Sequence, residues 1–273
     1  MRIGFIGLGN MATAIIGGLL REGTVLEGDA PVTAADLIGS APSQATRDRA
    51  AERFGIAVTP DNVQVAREAD VIVLAVKPQF FPQVTAEVRE AAAGKLVISI
   101  AAGLTLERIA GMLGVPEDQA RLIRCMPNTP ALVNAGCTAV CPGPGATDAD
   151  AELCLRLMGS FGRAVVIPER LMDAAGAVAG SSPAFVFLFI EALADGAVQA
   201  GMPRAQAYEL AAAAVAGSAQ LMLETGRHPG DLKDMVCSPG GTTIEGVRAL
   251  ESRAFRAAVM DAVDACVQKS RQL

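Results

Sequence analysis

Residues Gly7-Leu8-Gly9-Asn10-Met11-Ala12 have the GxGxxG/A spacing that brings a backbone against the pyrophosphate of a dinucleotide. Each position meets a separate demand. Gly7 permits a tight turn, Gly9 lets the chain approach the phosphates, and Ala12 keeps the following helix close to its sheet. That helix's N-terminus adds N–H donors and positive potential. Asp36, at the end of the expected second strand, stands near where an acid would bond the adenosine 2′-hydroxyl of NAD and repel the 2′-phosphate of NADP. Arg47 and Arg49 follow and could bind that phosphate instead, and Asp36 also reads as a solvated acid or helix cap. Cofactor choice stays open.

Three later segments carry groups suited to the same groove. Ala75-Val76-Lys77-Pro78 closes an apolar run with a cation, and Ser99-Ile100-Ala101-Ala102-Gly103 ends in small residues that let a flat ring lie against backbone. Cys125-Met126-Pro127-Asn128-Thr129-Pro130 offers an amide and a hydroxyl on a loop stiffened by prolines. Carboxyl ends of parallel strands are where doubly wound folds bind ligands. Any one of these is also an ordinary turn; jointly they outline a cofactor groove.

Further along, Ser238-Pro239-Gly240-Gly241 is a turn, and Thr242-Thr243 opens a helix. Free N–H groups there can hold a carboxylate beside a threonine hydroxyl, although either threonine could simply be an N-cap. His228, in Gly-Arg-His-Pro, reads as a helix terminus rather than a general acid or base, and Tyr208 as packing. With one histidine and no CxxC pair among Cys125, Cys137, Cys141, Cys154, Cys237 and Cys266, no metal site is expected. The cysteines read as reduced and mostly buried.

These residues need strands to carry them. Apolar runs at 3–6, 71–76, 96–100 and 122–126 suit strands covered on both faces, with weaker strands expected at 31–35 and 56–58. Helical patterns at 11–21, 43–54, 80–93 and 106–113 separate them, and a helix at 148–161 lies between strands at 138–141 and 164–167. The fold class is α/β: an N-terminal Rossmann-like doubly wound sheet over residues 1–165. From Pro168 the strand signal ends. Residues 166–273 read as an all-helical domain with helices at 182–201, 204–224, 242–252 and 254–270.

Composition removes other classes. The net charge of -6, without a basic run, leaves nucleic acid or an anionic membrane no electrostatic footprint. Met1 to Gly7 reads as a first strand rather than a signal peptide. The hydrophobic fraction is 51%, but alanine supplies more than a third of it. The uncharged stretch 174–190, interrupted by glycine, serine and proline, is short for a bilayer span and reads as buried in protein. A helical domain this apolar is expected to form a homo-oligomer through its surface.

Taken together, Phe5-Ile6-Gly7-Leu8-Gly9-Asn10-Met11, Ala75–Pro78, Ala101-Ala102-Gly103, Met126–Pro130, His228-Pro229, Leu232-Lys233-Asp234 and above all Ser238–Thr243 resemble the pyrroline-5-carboxylate reductase family over nearly the whole chain. The resemblance implies NAD(P)H-dependent hydride transfer to the C=N bond of 1-pyrroline-5-carboxylate, giving L-proline; the scattered, reduced cysteines point to the cytoplasm. It implies a C-terminal domain that dimerises by interlocking helices, with dimers often assembled into larger rings. It implies cofactor contacts, with NADPH or NADH, from Ile6, Gly7, Leu8, Gly9, Asn10, Met11, Asn62, Ala75, Val76, Lys77, Pro78, Ile100, Ala101 and Ala102, to which the residue reading adds Asp36 and Asn128. Substrate would meet Ser238, Gly241, Thr242 and Thr243, with Thr243 catalytic near the ring nitrogen and Glu169 on the substrate side. A related β-hydroxyacid dehydrogenase or imine reductase, and a dinucleotide-binding regulator without turnover, are the alternatives.

Overall fold

The computed structural model describes residues 1–272 apart from 22, 27 and 29. It divides into two compact units: Met1–Gly180 together with the C-terminal residues from Val267, and Ser181–Cys266.

The first unit is built on an eight-stranded sheet. Its strands are β1 (Ile3–Ile6), β2 (Leu37–Ser40), β3 (Ala57–Thr59), β4 (Val71–Leu74), β5 (Leu96–Ser99), β6 (Leu122–Met126), β7 (Gly136–Pro142) and β8 (Gly162–Val166). The spatial order is β3-β2-β1-β4-β5-β6-β7-β8. Every pairing is parallel except β6 with β7. The order reverses between β1 and β4, so a crevice opens at the carboxyl ends of these strands.

Neighbouring residues of a strand feed opposite cores. Val71 and Val73 join Phe5, Ile98 and Ile123 on one face, whereas Ile72 and Leu74 join Ile6, Ile38 and Val97 on the other. The first face is covered by α1 (Asn10–Leu19), α2 (Gln44–Phe54) and α6 (Asp148–Gly159), through residues such as Ile15, Ala50 and Leu157. The second lies under α3 (Asn62–Glu68), α4 (Phe81–Val88) and α5 (Leu106–Leu113), through Val65, Phe81 and Ile109. Burial on both faces explains why these strands read as unbroken apolar runs.

The second strand departs from expectation. It occupies Leu37–Ser40 rather than 31–35, and Ala34–Asp36 form one 3-10 turn before it. Thr33 and Asp36 cap each other's backbone reciprocally, which closes that turn and delays the extended chain. The brief third strand starts one residue later than expected.

After β8 the chain is helical. A four-residue segment α7 (Met172–Ala175) passes through a π-turn, Gly176–Ser181, into α8 (Ser182–Gln199). Then follow α9 (Arg204–Thr225), α10 (Pro229–Val236), α11 (Thr242–Glu251) and α12 (Phe255–Ser270). The short α10, missing from the sequence pattern, begins at Pro229 with His228 as its N-cap. In the second unit α8 packs on α9, and the buried residues there are Ala194, Ala207 and Ala211, small side chains that let helices approach closely.

Among the described residues one helix, Glu169–Gln199, is long and apolar enough to cross a membrane. Only 11% of its most apolar window is buried. The stretch expected to be buried is therefore largely uncovered within a single chain: Phe187 and Leu188 are 66% and 68% exposed. The apolar side chains outnumber what five helices can cover. An open groove of about 500 Å³, lined among others by Phe185, Leu188, Phe189, Leu193, Phe255 and Val259, continues this surface.

Candidate active site

The glycine loop is fastened before any ligand arrives. The Gly7 amide donates to the Ser40 carbonyl (3.0 Å), tying the loop to the end of β2. Gly7 has φ +98°, and a Cβ there would stand 2.7 Å from the Ala75 carbonyl oxygen. Only glycine meets both conditions. Gly9 differs. It is the N-cap of α1 in an extended conformation, makes no side-chain cap, and has nothing within 4 Å of where its Cβ would be. Leu8 turns inward over Gly39, while Ala12 is buried against the sheet. The first turn of α1 carries no acid. Bare amides, a positive helix end and an empty approach make a fitting cradle for a pyrophosphate.

The adjoining strand ends are in step with it. Ala75 N bonds Ile6 O (2.8 Å), and Ile100 N bonds Leu74 O (3.2 Å). Ala75–Pro78 and Ile100–Ala102 therefore follow directly on the same edge as Gly7, with Lys77 exposed. Asn62, the first residue of α3, is brought to this edge by Ser40, whose hydroxyl donates to Asn62 Oδ1 (2.6 Å). Its Nδ2 donates to Glu87 (2.9 Å).

Three expected site residues have polar groups bonded within the fold. Asp36 precedes β2, and β2 runs parallel to β1 with Leu37 opposite Ile3, so Asp36 lies at the amino edge, away from Gly7. Its carboxylate accepts from Thr33 N and Oγ1 (2.8 and 2.7 Å), and these bonds hold it below the usual carboxylate range. It cannot read the adenosine ribose; the late start of β2 moved it. Asn128 is buried and its amide is spent inside the fold: Oδ1 accepts from Cys137 N (2.8 Å) and Nδ2 donates to Ala179 O (3.0 Å) in the π-turn. Glu169 turns Oε1 onto Leu106 N (2.8 Å) and Arg124 (3.0 Å).

What stands at the carboxyl end of β2 is Ala41-Pro42-Ser43, which the sequence reading passed over. Arg47 pins it, donating to Ala41 O (2.6 Å) and Pro42 O (2.9 Å), with Arg49 exposed on the same helix. The available signal was the Pro-Ser pair ahead of an arginine-bearing helix. Arg124, a lone charge within Leu122–Met126, was likewise legible.

In the second unit, Gly240 adopts φ +68° and Gly241 N bonds Ser238 O (3.0 Å), closing the turn. Gly241 is the N-cap of α11 and offers no side chain, so neither threonine caps. Thr242 and Thr243 are the first two helical residues, both exposed. The helix start thus presents amides without a side-chain cap, beside two hydroxyls. His228 Nδ1 accepts from Gly230 N (3.1 Å), which is structural capping.

Residues 169–273 match the family model for pyrroline-5-carboxylate reductase dimerisation, and residues 2–103 match the model for NADP oxidoreductase, coenzyme F420-dependent. The pyrroline-5-carboxylate reductase of Escherichia coli (strain K12) is 50% identical over 273 residues, covering 100% of this chain and 98% of that one. The Arabidopsis thaliana protein of that name is 41% identical, over 100% and 95%. Among solved structures, a pyrroline-5-carboxylate reductase from Coxiella burnetii superposes with a TM-score of 0.91 at 34% identity, covering 99% of this chain and 97% of that one. Pyrroline carboxylate reductase from Plasmodium falciparum, solved with NADP bound, gives 0.85 at 31%, over 100% and 97%. With relatives of this name matching it from end to end at up to 50% identity, the chain belongs to the pyrroline-5-carboxylate reductase family.

Proposed function

We propose that this chain reduces the C=N bond of 1-pyrroline-5-carboxylate to give L-proline, with residues 1–165 holding the cofactor and residues 166–273 supplying dimerisation and substrate contacts. The observation that carries it is the glycine-capped start of α11, whose unused amides suit a small carboxylate. Bound NAD(P)H supplies the hydride from its nicotinamide C4. The protein's part is positioning. Ser238, Gly241 and Thr242 fix the carboxylate, and Thr243 Oγ1 hydrogen-bonds the ring nitrogen, keeping there the proton that makes the imine electrophilic. Ile100–Ala102 form a flat apolar floor for the nicotinamide.

Cofactor choice follows from the end of β2. With Asp36 removed to the other edge, the loop Ala41–Ser43 carries no acid and is followed by Arg47 and Arg49. This favours NADPH. Dimers assembled into a larger ring, and a cytoplasmic location, complete the reading. Steady NADPH oxidation with pyrroline-5-carboxylate, but not with hydroxyacids or buffer, tests it. Turnover of a hydroxyacid, or cofactor binding without turnover, would overturn it.

A further inference from the structure

We propose that Glu169 is a positioning residue for the reduction: by joining the first amide of α5 to Arg124 of β6, it sets the height of the loop Ile100–Gly103 beneath the nicotinamide. The proposal rests on the reading of this strand edge as the NAD(P)H groove.

Arg124 is a guanidinium within an apolar strand, paired in register with Ser99 of β5 and Cys141 of β7, and its side chain is only 9% exposed. A cation so placed holds its counter-ion in one position. Glu169 Oε1 meets it at 3.0 Å and also accepts from Leu106 N at 2.8 Å, across 63 residues of chain. The first free donor of α5 is therefore anchored by a charge, which the helix dipole favours.

The loop between β5 and α5 hangs from two ends. At the strand end, Ile100 N bonds Leu74 O and Ala101 N bonds Ser99 Oγ (3.3 Å). At the helix end, Leu104 and Leu106 are buried, but apolar burial has no direction. Directional anchoring comes from the Leu106–Glu169 bond. Between the two ends lie exposed Ala102 and Gly103 at φ +76°, the part of the loop with least support of its own. Thr105 Oγ1 satisfies Arg108 N (3.2 Å), so the amides of Leu106 and Arg108 are both engaged within the protein, and the carboxylate serves the loop. A shift of about 1 Å between reacting atoms costs roughly a hundredfold in rate.

Wild type, Glu169→Gln, Glu169→Ala and the double variant Arg124→Met/Glu169→Ala separate this from plain stabilisation. The double variant removes the buried charge that Glu169→Ala would leave unpaired. Readouts are kcat and KM with pyrroline-5-carboxylate, Kd for NADPH, melting temperature, and the fluorescence lifetime of the bound nicotinamide. Both alanine-bearing variants should lose kcat by about tenfold or more, with Kd for NADPH within about threefold and a shortened lifetime. Glu169→Gln, whose amide oxygen still accepts from Leu106, should keep most of both. A double variant with wild-type kcat and lifetime, or losses that track melting temperature or NADPH release, would overturn the proposal. If the wild type itself does not turn over, the functional reading fails, and the lifetime still decides the role of Glu169.

Discussion

Gly7 and Gly9 stand two residues apart and answer to different forces, so their substitutions should fail differently. Gly7→Ala must take a left-handed backbone and meet the Ala75 carbonyl at 2.7 Å. Strain of about 1–3 kcal/mol at such a site pushes β1 from β4. We expect a lower melting temperature together with loss of NAD(P)H binding. At Gly9 an added Cβ meets no protein atom within 4 Å and φ is an ordinary −77°, so for Gly9→Val the melting temperature should stay near wild type while NADPH affinity collapses. Calorimetric titration beside thermal unfolding reads both; normal cofactor binding by Gly9→Val would show that the phosphates lie elsewhere. Thr243→Ala touches neither fold nor cofactor cradle. Removing one positioned hydrogen bond to the reacting group should lower kcat/KM by about a hundredfold with Kd for NADPH unchanged. Unaltered turnover would remove Thr243 from the reaction.

At the level of elements, the sheet's amino edge is locked by Arg121 and Asp150, and the lock is sensitive to pH. Arg121 of the chain entering β6 donates to both carboxylate oxygens of Asp150 in α6 (2.6 and 3.2 Å), and Asp150 also accepts from Thr147 N (3.0 Å). Arg121 first, then Thr147, holds the Asp150 carboxyl below its ordinary range against the opposing effect of burial. A depressed folded-state value gives stability that is present above the unfolded value of about 3.9 and fades as pH falls through the folded one. Asp150→Asn should therefore cost about 2 kcal/mol at pH 7, and the gap to wild type should begin to narrow below about pH 4. Denaturant titrations at pH 7 and pH 3.5 measure it; an equal gap at both would refute the linkage. The β2–α2 connection makes a second test. If Arg47 and Arg49 face the 2′-phosphate, Arg49→Ala should weaken NADPH by roughly tenfold and leave NADH unchanged; equal losses would refute the preference. Elements that bury both faces, such as β4, were legible because hydration leaves no choice of pattern. The β2 position was not, because the Thr33–Asp36 cap is a local bond competing with extension, invisible to hydrophobic periodicity. Gly7 and the Ser238–Thr243 turn could be read because backbone demands leave fixed residue types. Glu169 and Asn128 could not, since their partners Leu106 and Ala179 are 63 and 51 residues distant.

For the whole molecule, the question is what covers the second unit. Helix Glu169–Gln199 passes the length and hydropathy test for a bilayer, yet it begins at the residue where the dimerisation match begins. The match to the dimerisation model makes the protein a homo-oligomer through this region, and a second copy would supply the missing cover. The exposed apolar residues Phe187, Leu188, Leu223 and Met260 occupy three of its helices, and the nearby groove opens beside Phe189 and Phe255, whose rings stand 6.1 Å apart. Burying one leucine side chain is worth about 1.5–3 kcal/mol, and a two-fold interface counts each substitution twice. Leu188→Asp should then cost several kcal/mol of association, enough to move a stable dimer into a measurable monomer equilibrium at micromolar concentration. Its position lies outside both the glycine cradle and the Ser238–Thr243 turn, so NADPH binding by the first unit should survive in the monomer. Light scattering after gel filtration gives the mass, and cofactor titration on the same fractions gives the binding. A wild-type protein of monomeric mass, or one recovered only with lipid, would contradict interlocking copies. A Leu188→Asp protein of unchanged mass would place the interface on other faces of these helices.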